Sequence, residues 1–534
     1  MSNKDTFTSI CATDVALTIE VAEVAVTGSS FSATENSFKY QVAFLSCVTL
    51  LWVLHSLRRF MGRSPVPKGC RDPPTLMGAW IPFVGSGPEL SRDSIAFLNK
   101  YHKSHGHVFQ TKIGLSSAYF VKDVHFPSNV VSRQPKTYSM HEYFREKTIR
   151  LFNVEFSHPD QLKSMRKWAH KHVLGENLDA LTHRFSYHVH HALLEKAACM
   201  REFKVVNLFD FTNPLVFDAA TRAFFGNYDS SLEAKQICQK TLFYDDDFVK
   251  MASGLLPEML FKSQRKAQHL VGQYLTTSLE RHEMTDLARD LFGSLGRWYK
   301  DSDVAFMFAW ALSANSLPTI FWMLIFLLRN DDVREQVLAQ VHVFLNAETG
   351  WDAATATEFP VLTTDIIKKM TLMESMMWET LRKRSSVNLT RAITKDTVAK
   401  VGGESFFLRK GNLVICTNPH HDPAVFPEPE IVVADRFLKE KTHTDAQGKK
   451  VFLPNQAFGH GISMCPGSKF ALMEGPAMVV MMLTCFDWEP VAPESNEPPP
   501  PNFEKFGFGC MPLHPDYHED PSIYFRVRVK PQFL

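Results

Sequence analysis

The chain has 534 residues, of which 45% are hydrophobic, and a formal net charge of +1 at pH 7. This hydrophobic share is sufficient for a large core, and the near-neutral charge argues against nucleic acid as a partner. The nine cysteines, an odd number with irregular spacing, argue against a disulfide framework and favour a reducing compartment.

An apolar segment near the N-terminus predicts a membrane anchor. Tyr40 to Leu57 is a run of 18 uncharged residues, which is long enough to span a bilayer. The chain before this run is acidic and the chain after it is basic, so the positive-inside rule predicts a lumenal N-terminus and a cytosolic remainder. Residues 1–39 are largely polar, which argues against a cleaved signal peptide.

A second apolar run lies in the middle of the chain. Val304 to Leu328 contains 25 residues without a charge, and by length alone it could also cross a membrane. Because Pro318 lacks an N–H, the carbonyl of Ala314 loses its helical partner. The sequence therefore predicts a kink near Ala314.

A pair of opposite charges occurs further along the chain. Glu379 and Arg382 are three positions apart, so on a helix they share one face. The surrounding segment, Met370 to Lys383, is apolar on its other faces, which predicts that the pair points inward. Buried charges are tolerated when they are paired and hydrogen-bonded, so we expect a third partner. Arg436 is the candidate, and the three residues are predicted to form a buried structural network.

The most specific motif surrounds Cys465. Phe458, Gly461, Cys465 and Gly467 follow the spacing F-x-x-G-x-x-x-C-x-G, and an apolar, helix-like segment from Ser468 to Phe486 comes next. The glycines allow tight turns and a close approach to a flat partner. Backbone N–H groups at a helix start stabilise a thiolate. A lone Cys-Pro-Gly would indicate a structural cysteine, but the full spacing predicts a thiolate ligand loop for haem iron.

With these motifs, the chain resembles the cytochrome P450 superfamily of haem-thiolate monooxygenases from about Pro65 to the C-terminus. The resemblance implies haem b as the cofactor and Cys465 as the axial iron ligand. It also implies further haem contacts from Phe458, Gly459, Gly461, Gly467, Trp168 and Ala311. In this superfamily Val304–Leu328 corresponds to a long buried helix beside the haem, because a second membrane span would separate Trp168 from Cys465.

Two positions depart from the family pattern for contacts with the haem propionates. Ser463 stands where many members have an arginine. His172 stands where the basic residue of a W-x-x-x-R helix is usual after Trp168. Lys171 and Arg166 are therefore additional candidates for a propionate contact.

A third departure concerns proton delivery. Members of the family carry an acid followed by an alcohol in the central helix, whereas here Ala314 occupies the acid position and Asn315 the alcohol position. The amide of Asn315 can orient water but does not supply a titrating proton. We therefore expect Asn315 and Ser316, with water held at the Pro318 kink, to be the catalytic residues that replace the usual relay.

The run from Asn315 to Pro318 and the Cys465-Pro466-Gly467 ending are similar to the subgroup of sterol 7α- and 12α-hydroxylases and prostacyclin synthase. This resemblance implies one of two chemistries. The first is monooxygenation of a hydrophobic, sterol- or terpenoid-like molecule, with electrons from NADPH-cytochrome P450 reductase and cytochrome b5 as a further candidate partner. The second is rearrangement of an oxygenated lipid without a reductase. A haem-binding protein without catalysis is a third alternative, and monooxygenation is favoured because reductant-free members are few.

The predicted fold is mainly α with a small β portion: a cytochrome P450 fold preceded by one N-terminal transmembrane helix. Strands are expected near Leu408–Cys416 and in the C-terminal tail. The resemblance implies the endoplasmic reticulum membrane, with the catalytic domain in the cytosol. The predicted organisation is a lumenal extension, an anchor, a basic and proline-rich linker and a haem-thiolate domain, at residues 1–39, 40–57, 58–82 and 83–534.

Deletion of residues 1–57 is expected to leave a haem-binding protein that is much easier to extract from membranes, because Tyr40–Leu57 is the predicted single span. Extraction with salt and with detergent, followed by immunoblotting of the intact and shortened chains, measures this. Reporters fused near Lys300 and near Asp331 should lie on the same side of the membrane. Reporters found on opposite sides would contradict the single-pass prediction.

Overall fold

The computed structural model describes residues 64–77, 85–92, 94–113, 116–155, 159–175, 177–228, 231–254, 256–281, 283–296, 298–385, 389–439, 443–452, 455–461, 464–492 and 521–533. The chain divides into two units, residues 1–65 and 66–534. The predicted anchor, Tyr40–Leu57, lies outside the described residues, as does Ser463. The following description concerns the second unit.

This unit is mainly helical. Its described α-helices are α1 (Gly87–Arg92), α2 (Ser94–His105), α3 (Met140–Phe152), α4 (Pro159–Ala169), α5 (Leu178–Cys199), α6 (Leu208–Phe225), α7 (Ser231–Asp246), α8 (Phe248–Ser253), α9 (Lys262–Arg281), α10 (Asp286–Leu295), α11 (Asp301–Ser313), α12 (Ser316–Leu328), α13 (Asp331–Thr349), α14 (Thr364–Lys369), α15 (Thr371–Arg384), α16 (Arg436–Lys439) and α17 (Ser468–Cys485). A π-helical turn, His170–Leu174, continues α4.

The smaller β portion comprises β1 (Val108–Ile113), β2 (Ser116–Val121), β3 (Tyr138–Ser139), β4 (Lys204–Asn207), β5 (Leu389–Ile393), β6 (Thr397–Val401), β7 (Glu404–Leu408), β8 (Leu413–Cys416), β9 (Phe486–Pro490) and β10 (Tyr524–Val529). One sheet has the order β1-β2-β8-β5-β3, in which β2 and β8 are parallel, and a second has the order β4-β10-β9. The mainly helical fold with a small β portion is therefore confirmed, including strands at Leu408–Cys416 and in the C-terminal tail.

Strands β6 and β7 form a separate hairpin. Their two-residue connection is Gly402–Gly403, and both glycines have positive φ, at 58° and 80°. A tight turn whose twist matches the flanking strands needs positive φ at both central positions, which glycine adopts without a steric penalty.

The centre of the core is formed by two apolar helical stretches. Asp301–Leu328 and Ser468–Cys485 are long and apolar enough to cross a membrane, but 78% of the most apolar window of each is buried inside the protein. In α12 every side chain from Leu317 to Leu328 is buried. Because no polar face remains, α12 can be stable only when protein surrounds it on all sides. This burial supports the prediction that Val304–Leu328 belongs to the core.

The predicted kink in this segment is present as a break between α11 and α12. Ala314 and Asn315 lie between the two helices, and Pro318 is the third residue of α12. The N–H of Ala314 still donates to the carbonyl of Trp310 at 2.8 Å. Helical hydrogen bonding resumes where the N–H of Thr319 donates to the carbonyl of Asn315 at 3.2 Å. Because Pro318 has no N–H, the helical bond to the carbonyl of Ala314 cannot form between these two.

The predicted charge network is present and buried. Two N–H groups of Arg382 donate to the two carboxylate oxygens of Glu379, each at 2.8 Å. The Nε of Arg436 donates to the same carboxylate at 3.1 and 3.2 Å. Exposed fractions are 0% for Glu379 and Arg382 and 4% for Arg436. The remaining guanidinium N–H groups donate to backbone carbonyls, among them those of His420 and Pro427.

Glu379→Ala is expected to give little folded, haem-loaded protein, because it leaves two buried guanidinium groups without their carboxylate, at a cost on the order of 3–5 kcal/mol. Chemical denaturation and the yield of haem-loaded protein measure the effect. Glu404→Ala is the matched control, since Glu404 pairs with Arg71 where both side chains are about half exposed. That substitution should cost less than about 1 kcal/mol. Normal folding of Glu379→Ala with a specific loss of turnover would contradict a structural role.

Candidate active site

The loop before α17 presents Cys465 in a defined turn. The N–H of Cys465 donates to the carbonyl of Phe458 at 2.8 Å, and the N–H of Ser468 donates back to the carbonyl of Cys465 at 3.2 Å. Gly459 and Gly461 have φ values of 69° and 63°. Residues with a Cβ rarely adopt this conformation, so the glycines at these positions make the turn possible.

Cys465 faces a cavity. The residue lines this cavity and has accessible surface. Protein atoms also lie close around its thiol group. Burial raises the pKa of the Cys465 thiol, and hydrogen bonds from the N–H groups of Gly467 and Ser468 act in the opposite direction. The same two N–H groups are therefore placed to stabilise negative charge on the sulfur at the start of α17.

The cavity has a volume of about 350 Å³. Its walls come from α3, α11, α12, α15, β5, the cysteine loop and the first turns of α17. The lining is largely apolar, with aromatic side chains from Tyr143, Phe144, Phe458 and Phe470. Such a cavity suits a large hydrophobic cofactor or substrate that is fixed by a small number of polar groups.

Most of the predicted site residues meet at this cavity. The lining includes Phe458, Gly459, Cys465 and Gly467 from the loop, and Ala311, Asn315 and Ser316 from α11, α12 and the break between them. Gly461 lies in the same loop, where its positive φ shapes the turn. The structure thus brings the cysteine loop together with the helix break, although about 150 residues separate them in sequence.

Trp168 and its neighbours are placed elsewhere. The indole N–H of Trp168 donates to the carbonyl of Leu287 at 2.9 Å, and His172 and Lys171 contact Asp290 at 2.8 and 2.6 Å. Trp168 and His172 are four positions apart, so they share a helix face, and that face is directed at α10. None of Trp168, Lys171, His172 and the exposed Arg166 is among the described residues that line the cavity. The structure does not place these side chains at the cavity, and their contacts with the cofactor stay predictions.

Two charged residues at the cavity were missed by the sequence reasoning. Arg391 in β5 is 5% exposed, and Glu474 in α17 is 2% exposed. Each had a signal in the sequence. Arg391 occupies an inward position of a strand whose burial alternates, and Glu474 is the single acid in an otherwise apolar helix. A buried charge in either place lowers stability unless it is paired or hydrogen-bonded. Such a position is therefore a candidate for a functional site.

Glu474 connects the cysteine helix to the helix break. The hydroxyl of Ser316 donates to Oε1 of Glu474. Burial raises the pKa of Glu474 to about 8, and the Ser316 hydrogen bond offsets only part of this effect. Below pH 8 the carboxyl group is therefore predominantly neutral and carries a proton. α17 thus places an acid in the cavity wall, hydrogen-bonded to the first residue of α12.

A further group of contacts holds the cysteine loop in place. Arg382 donates to the carbonyl of His420 at 2.8 Å, and Nε2 of His420 accepts the N–H of Gln456 at 3.1 Å. Because Nε2 accepts, Nδ1 carries the proton and donates to the carbonyl of Ser385 at 3.2 Å. Burial lowers the pKa of His420 to about 3, so this ring stays neutral. The charge network thus reaches the loop two residues before Phe458.

The residues present fit a haem group. Cys465 would supply the sulfur ligand of the iron, and Phe458 with the glycine backbone forms an apolar wall suited to a flat macrocycle. Arg391 places a guanidinium group at the cavity, where it could pair with anionic propionates. One sulfur ligand, apolar walls and a cation are together the groups that a haem-thiolate site needs.

Comparison with known proteins defines the family. The sequence pattern of the cytochrome P450 family matches residues 74–290 and 304–517, so the chain belongs to this family and its cofactor is haem. It is 27% identical over 488 residues to the 5-beta-cholestane-3-alpha,7-alpha-diol 12-alpha-hydroxylase of Sus scrofa, which covers 86% of this chain and 93% of that protein.

Two other relatives show the range of chemistry in this subgroup. The 7-alpha-hydroxycholest-4-en-3-one 12-alpha-hydroxylase of Homo sapiens is 25% identical over 496 residues, covering 86% of this chain and 93% of that protein. Prostacyclin synthase of Rattus norvegicus is 24% identical over 500 residues, covering 86% and 94%. The predicted resemblance to sterol hydroxylases and prostacyclin synthase is confirmed.

Cys465→Ala is expected to lose the long-wavelength absorption of the reduced carbon monoxide complex, which is diagnostic of thiolate ligation, because alanine offers the iron no ligand. Cys199→Ala, at an exposed cysteine of α5, is the matched control and should keep the normal spectrum. The measurement is absorption of the reduced protein with and without carbon monoxide. An unchanged spectrum in Cys465→Ala would refute the assignment.

Proposed function

We propose that this protein is a monooxygenase that inserts one oxygen atom of O2 into a hydrophobic sterol-, terpenoid- or lipid-like substrate. The observation that carries the proposal is a single apolar cavity lined both by Cys465 and by the break at Asn315 and Ser316. When bound, haem supplies the oxygen-activating chemistry, which consumes two electrons and two protons. The protein must bind the substrate, limit water and deliver those protons.

Each of these tasks has candidate residues. Cys465 would hold the iron, and Phe458, Gly459 and Gly467 would pack against the macrocycle. Arg391 would pair with a propionate. Tyr143, Phe144 and Leu312 belong to the apolar part of the lining, where they would pack on the substrate and exclude bulk water. At the helix break, Asn315, Ser316 and Glu474 are the polar side chains available to position water or move protons.

The substrate class rests on two arguments. Apolar walls favour a hydrophobic molecule, because burial of apolar surface provides most of the binding free energy. The hydroxylases of Sus scrofa and Homo sapiens are named for sterol substrates, and they cover 86% of this chain.

Electrons would come from a partner protein. We propose NADPH-cytochrome P450 reductase, with cytochrome b5 as a further donor. The catalytic domain would face the cytosol from the endoplasmic reticulum membrane, held by the single span at residues 40–57 behind the linker at residues 58–82. The charge difference on the two sides of that span supports this orientation.

An isomerase that needs no reductase is the second candidate. It is favoured by the amide of Asn315 at the position of the usual alcohol, and by the likeness to prostacyclin synthase. Glu474 argues against it. A protonated acid hydrogen-bonded to Ser316 at the cavity is useful for dioxygen activation, whereas rearrangement of a lipid peroxide consumes no proton from solvent overall.

Labelled dioxygen separates the two candidates. Membranes carrying the protein are incubated with NADPH, reductase, isotopically labelled dioxygen and a panel of sterols and other lipids, and products are read by mass spectrometry. We expect one labelled oxygen atom per product molecule, and no product without NADPH. Product that forms without a reductant and carries no label would overturn the monooxygenase assignment.

Asn315→Ala tests the helix break under the same conditions. We expect less product and more hydrogen peroxide per NADPH, because water at the break loses the amide that orients it. Asn315→Thr restores a hydroxyl group and should recover part of the product yield. Asn346→Ala, at an exposed position of α13, is the control. Equal product and peroxide yields in Asn315→Ala and the intact protein would remove Asn315 from proton delivery.

A further inference from the structure

Glu474 is a buried acid in the cavity wall without a cationic partner among the described residues. It is 2% exposed and lines the cavity, and its described hydrogen-bond partner is the Ser316 hydroxyl. Its second oxygen, Oε2, has no hydrogen-bond partner in the described part of the chain. An isolated buried carboxylate is strongly disfavoured, and such a group takes up a proton instead. This agrees with a pKa raised to about 8.

A purely structural role does not account for this arrangement. Glu379, the other fully buried acid near the site, accepts hydrogen bonds from Arg382 and Arg436 and the backbone N–H of Val433. Glu474 accepts one from a hydroxyl group. A buried polar atom without a partner lowers stability, and at a cavity such an atom is a candidate for contact with water or a ligand.

Ser316 lies where this acid can affect the site. It is the first residue of α12, directly after the break, and its hydroxyl points toward α17 and lines the cavity. The side-chain oxygen of Asn315, the preceding residue, is also buried without a hydrogen-bond partner among the described residues. Asn315 and Glu474, which each have one such oxygen, therefore line the same cavity as Ser316.

We propose that Glu474 holds a transferable proton and delivers it into the cavity through the Ser316 hydroxyl, so that α17 supplies the acid that the central helix lacks at Ala314. The proposal rests on the monooxygenase function above. Glu474 acts through Ser316, so it is a positioning and proton-holding residue.

The proposed transfer moves one proton from Glu474 into the cavity through Ser316. In the reactive arrangement the carboxyl proton lies on Oε1, so that the hydrogen bond between the two residues runs from this oxygen to Oγ of Ser316. Ser316 then gives its own hydroxyl proton to a water molecule in the cavity and receives the carboxyl proton of Glu474 on Oγ. One O–H bond breaks and one forms at Ser316, and Glu474 becomes a carboxylate with one negative charge. Uptake of one proton from solvent restores the neutral acid, and no electrons are exchanged within the pair.

The test compares Glu474→Gln and Ser316→Ala with the intact protein. The substituted glutamine has nearly the size of the native side chain and still accepts the Ser316 hydrogen bond, but it carries no acidic proton. We expect a normal reduced carbon monoxide spectrum and haem content in both variants. Product per NADPH should fall about tenfold or more, with a matching rise in peroxide, because a general acid commonly contributes about 10²–10⁴-fold to the step it serves.

Infrared spectroscopy gives a readout that does not depend on turnover. At pH 7 the intact protein should show the carbonyl stretch of a buried protonated carboxyl group, sensitive to deuterium exchange and absent from Glu474→Gln. Ser316→Ala should shift this band, because it removes the hydrogen bond to Oε1. Glu335→Gln, at an exposed position of α13, should change neither the band nor the product yield.

Several outcomes decide the proposal. Product yield in Glu474→Gln within twofold of the intact protein, at normal haem content, would overturn it, and so would absence of the carbonyl band. If Glu474→Gln fails to fold, Ser316→Ala and Ser316→Thr carry the test, and only a loss in the first with retention in the second supports the relay. Unlabelled product from labelled dioxygen would overturn the monooxygenase function instead, while the infrared band would still report whether Glu474 is protonated.

Discussion

The site depends on one buried interaction, in which the carboxylate of Glu379 is held between the guanidinium groups of Arg382 and Arg436. Its importance lies in what it positions. Arg382 binds the carbonyl of His420, and the neutral His420 ring accepts the N–H of Gln456 at the entrance to the cysteine loop. A buried ion pair contributes little net stability compared with apolar packing, but it enforces one geometry, because a charge left without its partner is very unfavourable.

The helix break at Ala314 and Asn315 is the second constraint. Pro318 interrupts backbone hydrogen bonding, so α12 begins anew with Ser316 facing α17. In a continuous helix the backbone N–H and C=O groups at this point would all be paired within the helix. The break therefore places the amide of Asn315 and the hydroxyl of Ser316 in an apolar cavity, where α17 adds the carboxyl group of Glu474. Ala314 stands at the position of the usual acid on the central helix, and the buried acid Glu474 lies on α17, hydrogen-bonded to Ser316.

Local chemistry explains which features could be predicted from sequence. Proline lacks an N–H wherever it stands, so the break before Pro318 follows from one residue type. Positive φ at Gly461 and helix-start N–H groups after Cys465 are likewise properties of a few consecutive residues. The i, i+3 spacing of Glu379 and Arg382 requires only that the segment be helical. The fold class followed from the family resemblance that these motifs carried.

The placement of distant side chains was decided by tertiary structure alone. The indole N–H of Trp168 binds the carbonyl of Leu287 in α10, and sequence spacing does not say which neighbour a helix face will meet. Arg391 and Glu474 are far apart in the sequence, and only the fold directs both at the same cavity. The pairing of Glu474 with Ser316 joins residues 158 positions apart. Sequence determines the chemistry of each side chain and its local backbone; burial, and with it the protonation of an acid such as Glu474, exists only once the elements have packed.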